Sequence, residues 1–571
     1  MTRRGWWLAA SVVVALALAA SANSIANGFA YDDNYLLVKL ERTHSLAGWW
    51  SDFGRTYWPV EWGGDGYRPL SSIVYRLQWV LGDGSAAVFH SVNVALHTAT
   101  SVAVLWLAAG VLPFAAAVVV AALYAVHPVH VEAIANGVGQ SELWVALLVV
   151  VAVSLYVRGR AAGRVSWQRW LSIGALYVVS MFFKEHAIVL PALILLAEAT
   201  VVADRAPLSK RLAGIRLPML VSALLGVAFL WARSRVVISG VAGFVPYLPF
   251  QIVRFTGTDR ILTAVGVAPE WLRLLLWPAR LVTEYSPRFV DIAQGPSVAQ
   301  IPGFLVLVGA LGLMIVCWRR SPVTSFGIGW LVLTLLPASN FIVPAGFIVA
   351  ERTLLLPSVG AVLALGSGIP WLYERVEHKR GAQLAATAAV AVLIALGVAR
   401  SYTRNRVWKD NDTLFKQSVI DAPDSYRAHY LLGQYYFEHA NRSLGERHLK
   451  RALDLFPDPV VMFNLAEHYR YAGLCAPAIG LYRTAISMAN NMRRSQYGYA
   501  LCLLETLQMD DARRVTLNAL SWGADVQKGR EIIAAANLGR DSLRARLARG
   551  DTLPVVPDLS GRRGVAPTEK R

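Results

Sequence analysis

The first 400 residues alternate between long apolar runs and short polar segments. An apolar run of about 17 to 25 residues is as long as a helix that crosses a bilayer. Roughly eleven runs approach this length, some at its short end. The pattern therefore predicts a bundle of membrane-spanning helices near residues 6–26, 87–109, 111–126, 141–157, 168–183, 187–203, 217–233, 301–318, 323–342, 353–373 and 383–399.

A different periodicity begins after residue 400. Small residues recur at steps of 33 and 34 residues in two registers, at Gly433, Ala466 and Ala500 and again at Ala452, Ala485 and Ala519. A repeat of about 34 residues is typical of tetratricopeptide helix pairs, in which small residues lie where the two helices touch. Such repeats form an α-solenoid that binds extended polypeptide. The C-terminal third therefore predicts a soluble solenoid with a protein or peptide partner.

The composition agrees with a membrane protein and changes one expectation. The 571 residues are 55% hydrophobic and 16% charged, with a mean hydropathy of +0.44, which excludes an ordinary soluble protein. The net charge of +18 could suggest nucleic acid. The basic residues, however, cluster between the apolar runs, where they orient membrane helices, and we expect no nucleic-acid partner.

The basic clusters predict which side of the membrane each loop occupies. Threading the spans alternately places every cluster on one side, which is the cytoplasmic side by the positive-inside rule: Arg3 and Arg4, 158–164, 205–216, Arg319 and Arg320, and 375–380. The N-terminus is then cytoplasmic, and 27–86, 127–140, 184–186, 234–300, 343–352 and all residues after 400 are outside. The Ala/Arg/Val-rich composition favours a bacterial plasma membrane.

Two segments leave alternatives open in this threading. Residues 259–282 carry Arg260, Glu270 and Arg273 and would break the charge pattern as a span, so we expect an interfacial or re-entrant helix. The stretch "AASANS" could be a signal-peptidase site, although we favour an uncleaved first helix. The predicted domains are a first span (1–26), an outer loop (27–86), the remaining membrane domain (87–400), a linker (401–424), three repeats (425–522), capping helices (523–550) and a disordered tail (551–571).

The three cysteines fit neither a disulfide framework nor a zinc site. Cys475 and Cys502 could pair outside the cytoplasm. Buried free thiols are the expectation that the sequence favours, because cysteine is often a small buried apolar residue.

The candidate chemistry lies at the predicted outer ends of the spans. Asp32 and Asp33 are adjacent carboxylates, which repel one another unless they are hydrated or paired. Ionisable residues beside a membrane are functional candidates because each costs free energy to place there. The others are Arg68, His127, His130, Glu132, Lys184, Glu185, Glu351 and Arg352.

Each of these residues also has a structural interpretation. The aspartates could form a solvated turn, Lys184 and Glu185 could be a simple interfacial pair, and Arg352 could reach to the headgroups. His127, His130 and Glu132 have a spacing that could suggest a metal, but a hydrogen-bonded cluster explains it equally well, so we predict no metal site there. Their common sidedness favours a functional role.

The order of motifs resembles that of the transmembrane O-mannosyltransferases with tetratricopeptide repeats and their bacterial relatives. The matching blocks are "YDDN", "YRPLSSIVYRLQWVLGDGSAAVFHSVNVALH", "HPVHVEAIANGVGQSEL", "FKEHAIVLPALILLAE", "RLLLWPARLVTEYSP" and "SNFIVPAGFIVAERTLLLPSVG", followed by the repeats. The resemblance covers about 28–520. It implies a type C glycosyltransferase (GT-C), a polytopic enzyme that moves a sugar from a polyprenyl-phosphate carrier to an acceptor outside the cytoplasm.

The resemblance also implies roles for the outer residues. In that superfamily one carboxylate of an acidic pair in the first outer loop is the base, and here we expect Asp33, with Asp32 as its partner. Arg68, Lys184 and Arg352 would meet the lipid phosphate, while His127, His130, Glu132, Glu185 and Glu351 would shape the pocket. The second aspartate leaves room for a divalent cation. Competing hypotheses are a lipid or glycan acceptor, and a non-catalytic membrane scaffold that uses the repeats.

Overall fold

The protein is described by a computed structural model, which covers residues 2–59, 64–241, 257–376, 378–488, 493–521, 524–538 and 540–549. The chain divides into two compact units. Of the described residues, the first contains those in 2–241, 257–285 and 290–421, and the second contains 286–289 and those from 422 onward. The regular secondary structure of the described residues is helical, and one isolated β-bridge joins Tyr285 and Val349.

The first unit is a bundle of apolar helices. In chain order they are α1 (Arg3–Ser21), α2 (Pro69–Leu81), α3 (Ala86–Ala108), α4 (Phe114–Ala125), α5 (Val131–Ala135), α6 (Gln140–Ala161), α7 (Trp167–Phe183), α8 (Leu190–Ala199), α9 (Leu208–Val241), α10 (Gly257–Leu276), α11 (Ile301–Arg320), α12 (Pro322–Leu335), α13 (Leu355–Gly366), α14 (Ile369–Val376), α15 (Arg380–Asn405) and α16 (Asn411–Asp421).

Among the described residues, seven helical segments are long and apolar enough to cross a membrane. They are Arg3–Ala26, Ala86–Ala108, Gly137–Ala161, Leu208–Val237, Val298–Arg320, Glu351–Val376 and Arg380–Trp408, and the bent pair Phe114–Ala125 and Pro128–Ala135 would make an eighth. The all-α, multi-pass prediction is thus confirmed. Three predicted spans (168–183, 187–203 and 323–342) instead correspond to α7, α8 and α12, with 17, 10 and 14 residues.

Close helix contacts in the bundle depend on small residues. At the crossing of α12 and α13, a Cβ added to Gly360 would lie 2.3 Å from the carbonyl oxygen of Gly327, and one added to Gly327 would lie 2.5 Å from that of Gly360. Because lipid tails are as apolar as the helices, membrane helices gain stability from such close packing. Glycine is therefore required where these two backbones meet.

Two predicted segments differ from a simple alternation of spans and loops. Residues 259–282 fall largely in α10, which is not among the seven candidate spans, and its interfacial position stays a prediction. The predicted linker 401–424 contains the end of α15 and all of α16, with Arg404, Asn405 and Trp408 buried in the first unit. Buried side chains hold this segment in place, and apolarity alone did not reveal them.

The second unit is a series of paired helices. They are α17 (Tyr426–Glu438), α18 (Arg442–Leu455), α19 (Pro459–Tyr471), α20 (Cys475–Met488), α21 (Arg493–Glu505), α22 (Met509–Ser521), α23 (Val526–Asn537) and α24 (Arg540–Ala548). Each helix from α17 to α22 packs on the one that follows it. The range predicted for capping helices contains α23 and α24, whose capping role stays a prediction, while 551–571 lie outside the described residues.

The small residues of the sequence repeat lie at helix contacts in the second unit. Gly433 of α17 faces α18, where an added Cβ would lie 3.1 Å from the carbonyl oxygen of Gly445. The alanines of the repeat are completely buried: Ala452, Ala466, Ala485, Ala500 and Ala519. These contacts agree with the predicted register, and the assignment to tetratricopeptide repeats stays a prediction.

The prediction of free thiols at Cys475 and Cys502 is wrong, because the structure joins them in a disulfide. Cys475 begins α20 and Cys502 lies in the next helix, so packing brings their Cα atoms within 5.0 Å although 27 positions separate them in sequence. Sequence spacing cannot show which two helix positions face each other. Cys317 is a free cysteine.

Candidate functional site

The acidic pair lies in a loop that is fastened to the segment after α15. The Gly28 amide donates to the Lys409 carbonyl oxygen over 2.8 Å, and the Tyr31 amide donates to Oδ1 of Asn411 over 2.8 Å. Tyr31 has φ +57°, a left-handed conformation that costs a bulky residue free energy and that surrounding contacts must hold. The Tyr31 hydroxyl also donates to Glu284. The backbone entering Asp32 is therefore fixed from two sides.

Asp33 is fully buried and binds backbone. Its Oδ2 accepts from the Gly137 amide over 2.9 Å and its Oδ1 accepts from the Val138 amide over 2.8 Å. Burial raises the pKa of Asp33 to about 7, and these hydrogen bonds offset only part of that rise. Both oxygens are engaged, so Asp33 is placed to hold the loop before α6.

A buried amide network supports the same loop. The Asn93 side chain donates to the carbonyl oxygens of Ile134 and Asn136 over 3.1 and 2.9 Å. The Gln140 amide donates to Oδ1 of Asn93 over 2.9 Å and pairs with Gln78. Buried polar groups that satisfy one another specify a single arrangement. This network thus fixes the backbone amides of Gly137 and Val138, whose hydrogen bonds Asp33 accepts.

Asp32 is half-buried, unlike its neighbour, and interacts electrostatically with Arg352. The Arg352 guanidinium forms an ion pair with Glu132, and the Arg352 amide donates to Oε2 of Glu132 over 2.9 Å. Glu132 is 2% exposed and the Arg352 side chain 22%. Buried Glu132 therefore holds the partly exposed guanidinium of Arg352 in place, and this positive charge acts on Asp32 of the acidic loop.

Two further cations have the same arrangement. The Lys184 ammonium pairs with Glu142, with side chains 15% and 5% exposed. Nε of Arg68 lies 3.1 Å from Oε2 of Glu185, with side chains 20% and 21% exposed. Each cation is positioned by a carboxylate and stays reachable, so each can meet an anion.

Electrostatics show that these cations are neighbours. Burial is the largest cause that lowers the pKa of the Lys184 ammonium, and the charges of Arg68 and Arg352 lower it further, while Glu142 raises it. Burial alone would raise the pKa of Glu185, but the Arg68 charge and the Tyr67 amide outweigh it and lower the pKa to about 2. Arg68, Lys184 and Arg352 thus act on one another as one positive cluster, and each is paired with a carboxylate, Glu185, Glu142 and Glu132 respectively.

The remaining predicted residues have supporting contacts. His127 Nε2 lies 3.0 Å from the Leu275 carbonyl oxygen, and His130 Nε2 lies 2.8 Å from the Ser358 hydroxyl. Glu351 is 1% exposed and accepts from the Val282 amide over 2.5 Å and from the Tyr285 hydroxyl over 2.9 Å. These residues connect segments of the bundle.

Sequence reasoning did not single out three residues of this region. Glu142 pairs with Lys184, Glu284 accepts from Tyr31, and Arg233 of α9 lies 3.7 Å from Glu185. Glu142 and Glu284 belong to motifs quoted above, and this membership was the signal that could have identified them from the sequence. Arg233 lies inside an apolar run, which gave no such signal. Among the described residues, no group of three or more metal-binding side chains is arranged to hold an ion. The divalent cation stays a prediction.

Comparisons with known proteins identify relatives along most of the chain. A Drosophila melanogaster protein, Tmtc3, is 28% identical over 441 residues, or 65% of this chain and 46% of that protein. Human TMTC4 is 26% identical over 490 residues, which are 76% of this chain and 65% of that protein. Mouse TMTC3 is 23% identical over 509 residues, which are 84% of this chain and 54% of that protein. Each is named a protein O-mannosyl-transferase. The resemblance drawn from the motifs is confirmed.

The same comparisons set the extent of the likeness. The chain spans less than two thirds of the length of these relatives. No family model matches the chain. Among solved structures, an Archaeoglobus fulgidus oligosaccharyltransferase aligns with a TM-score of 0.41 and 17% identity, covering 70% of this chain and 53% of that one.

Proposed function

We propose that this multi-pass homologue of the protein O-mannosyl-transferases is a glycosyltransferase. It moves a sugar, most simply mannose, from a polyprenyl-phosphate carrier to Ser or Thr hydroxyls of a protein acceptor on the non-cytoplasmic side. One observation carries the proposal: a half-buried carboxylate, Asp32, interacts electrostatically with Arg352, and Arg352 and Arg68 both interact with Lys184. Transfer from a lipid phosphate requires a base that takes the proton of the acceptor hydroxyl. It also requires positive charge that stabilises the leaving phosphate.

The geometry favours Asp32 over Asp33 as the base, contrary to the expectation from the sequence. Both oxygens of Asp33 accept backbone amides and the side chain is fully buried. A general base needs an oxygen that can reach the acceptor hydroxyl. Asp32 retains exposure, so Asp33 is assigned the role of holding the loop that presents Asp32.

The proposed reaction is a single displacement. The acceptor oxygen attacks the anomeric carbon, its proton passes to Asp32, and the bond from that carbon to the phosphate oxygen breaks. The bonding electrons leave with the polyprenyl phosphate, and the configuration at the anomeric carbon inverts. Arg352, Lys184 and Arg68 stabilise the negative charge that grows on the leaving group.

The location outside the cytoplasm is supported by two features. The Cys475–Cys502 disulfide of the second unit is typical of an oxidising compartment. In the first unit, the segment that leads into the second unit is hydrogen-bonded to the acidic loop through Asn411 and Tyr31. We therefore assign the acidic loop and the paired helices to one side, with the paired helices as the site that binds the protein acceptor.

The test is to replace each aspartate and measure transfer of labelled sugar from a polyprenyl-phosphate donor into protein in membranes. We expect Asp32→Asn to reduce turnover about a hundredfold or more with unchanged thermal stability, because a positioned base is lost. Asp33→Asn should reduce both turnover and thermal stability, since the amide nitrogen of the asparagine would face a backbone N–H. Asp83→Asn, exposed in the same outer loop, is the control.

Full transfer by Asp32→Asn would disprove the assignment of the base. Label that accumulates in lipid or glycan and not in protein would contradict the proposed acceptor. A chain that transfers no sugar to any acceptor, with its natural donor supplied, would favour the scaffold hypothesis.

A further inference from the structure

An apolar surface on the first outer loop takes no part in the proposed transfer. Residues 46–53 expose four large apolar side chains: Leu46 (38%), Trp49 (45%), Trp50 (66%) and Phe53 (37%). Apolar surface in contact with water costs roughly 25 cal/mol per Å². A cluster of this size on a polar loop therefore indicates an interaction surface.

The loop is held rigidly in this exposed shape. Arg76 of α2 donates to the carbonyl oxygens of Ser45 and Ala47 over 2.8 and 3.2 Å and forms an ion pair with Asp52, Nε to Oδ2 2.7 Å. The Tyr67 hydroxyl donates to the Phe53 carbonyl oxygen over 3.0 Å. The tryptophans are thus presented on a fixed frame and could not simply fold inward.

The charge of this loop suits an apolar, not an ionic, partner. Asp52 is the sole charged residue of 46–53, and its side chain is 2% exposed in the ion pair with Arg76, itself 3% exposed. Moving the loop out of water therefore desolvates no new charge. Tryptophan combines a large apolar ring with one N–H donor and is enriched at the boundary between lipid tails and headgroups.

The surface is also continuous with helices of the membrane bundle. The Phe53 ring packs edge-on against Phe182 with centroids 5.7 Å apart, and Phe182 packs against Phe229 of α9 at 5.7 Å. Phe229 belongs to a candidate span, Leu208–Val237. On α2 the exposed apolar residues Leu77, Val80 and Leu81 follow helical spacing and form one stripe.

We propose that residues 46–53 insert into the lipid bilayer at the boundary of headgroups and acyl chains, in the leaflet on the same side as Asp32. The occupant of this surface is membrane lipid. The loop then holds the frame formed with α2 against the membrane surface. The proposal rests on exposure, charge and continuity, and it stands whether or not the chain transfers sugar.

The test uses the full chain in liposomes, with Cys317→Ser as background and the Cys475–Cys502 disulfide intact. An environment-sensitive fluorophore is attached at Trp50→Cys and, separately, at Ser51→Cys, which leaves both tryptophans in place. Glu41→Cys, exposed in the same loop, is the aqueous reference. Phe304→Cys, 58% exposed in the candidate span Val298–Arg320, is the lipid reference.

We expect both loop labels to be quenched by spin-labelled lipid and protected from iodide, as at Phe304, with emission shifted to the blue relative to Glu41. Loop labels that iodide quenches as strongly as at Glu41 would overturn the proposal. Protection from both quenchers would overturn it as well, because protein and not lipid would then cover the loop.

Discussion

At the scale of single residues, burial separates two adjacent carboxylates that look equivalent in sequence. Asp33 is enclosed and bound to the amides of Gly137 and Val138, whereas Asp32 keeps access to solvent and the charge of Arg352. Consecutive side chains leave the backbone in different directions, so one aspartate can stabilise the loop that positions the other. Tyr31, immediately before them, carries the unfavourable backbone angle.

Tyr31→Phe tests whether the left-handed residue positions the proposed base. Loss of its hydroxyl leaves the 6% exposed Glu284 without this donor. A hydrogen bond to a charged group contributes about 1.5–3 kcal/mol, so we expect turnover to fall about tenfold or more with little change in KM for the donor. Steady-state kinetics check this, with the exposed Tyr402→Phe as control. An equal rise in KM would instead indicate a binding role.

Asp33 predicts a particular dependence of stability on pH. Its pKa is raised by burial to about 7 in the folded chain, so its contribution is full below the ordinary value of 3.8 and is lost as the pH rises through about 7. The loss is roughly 1.4 kcal/mol per pH unit in that window. Wild type should therefore lose stability relative to Asp33→Asn between pH 5 and pH 7.

Thermal unfolding in detergent at both pH values measures this difference, and Asp83→Asn provides the control. A constant gap between wild type and Asp33→Asn across the window would contradict the raised pKa.

At the scale of elements, small residues decide where helices can pack within each unit. The crossing of α12 and α13 has no room for a side chain on Gly327 or Gly360. In the second unit, buried alanines allow neighbouring helices to pack, and the same packing brings Cys475 to Cys502. The rise of 1.5 Å per residue also makes α7, α8 and α12 shorter than a bilayer, although their sequences are apolar.

Gly360→Ala tests the importance of the α12–α13 crossing. The added methyl group would lie 2.3 Å from the Gly327 carbonyl oxygen, so the helices must separate. Overpacking of this kind costs about 1–3 kcal/mol, and we expect a lower thermal midpoint in detergent. Gly309→Ala in α11, where nothing lies within 4 Å of an added Cβ, should leave the midpoint unchanged or raise it. Equal midpoints for the two variants would show that the crossing tolerates separation.

At the scale of the whole molecule, the proposed function requires one arrangement across the membrane. The basic clusters predict which loops are cytoplasmic, and the disulfide of the paired helices is typical of an oxidising compartment. The acceptor would then meet the acidic loop in the same aqueous space.

Reporter fusions or thiol labelling can test this sidedness. Labels at Asn34 and Tyr430 should both react from outside intact cells, while one at Arg320 should react only after permeabilisation. Cys475 and Cys502 should be labelled only after reduction, with Cys317 as the thiol that needs none. Asn34 and Tyr430 on opposite sides would refute the proposed location of the reaction.

The sequence by itself determined the membrane class, the repeat period and the motifs that carry the family resemblance, because apolar length, spacing and residue order are local properties. It also brought out the acidic pair and the three cations. Only the tertiary structure decided which aspartate is buried and that Glu142 positions Lys184. It alone decided that Arg352 pairs with Glu132 and that two distant cysteines meet. These outcomes depend on which helix faces pack together, and no local pattern contains that information.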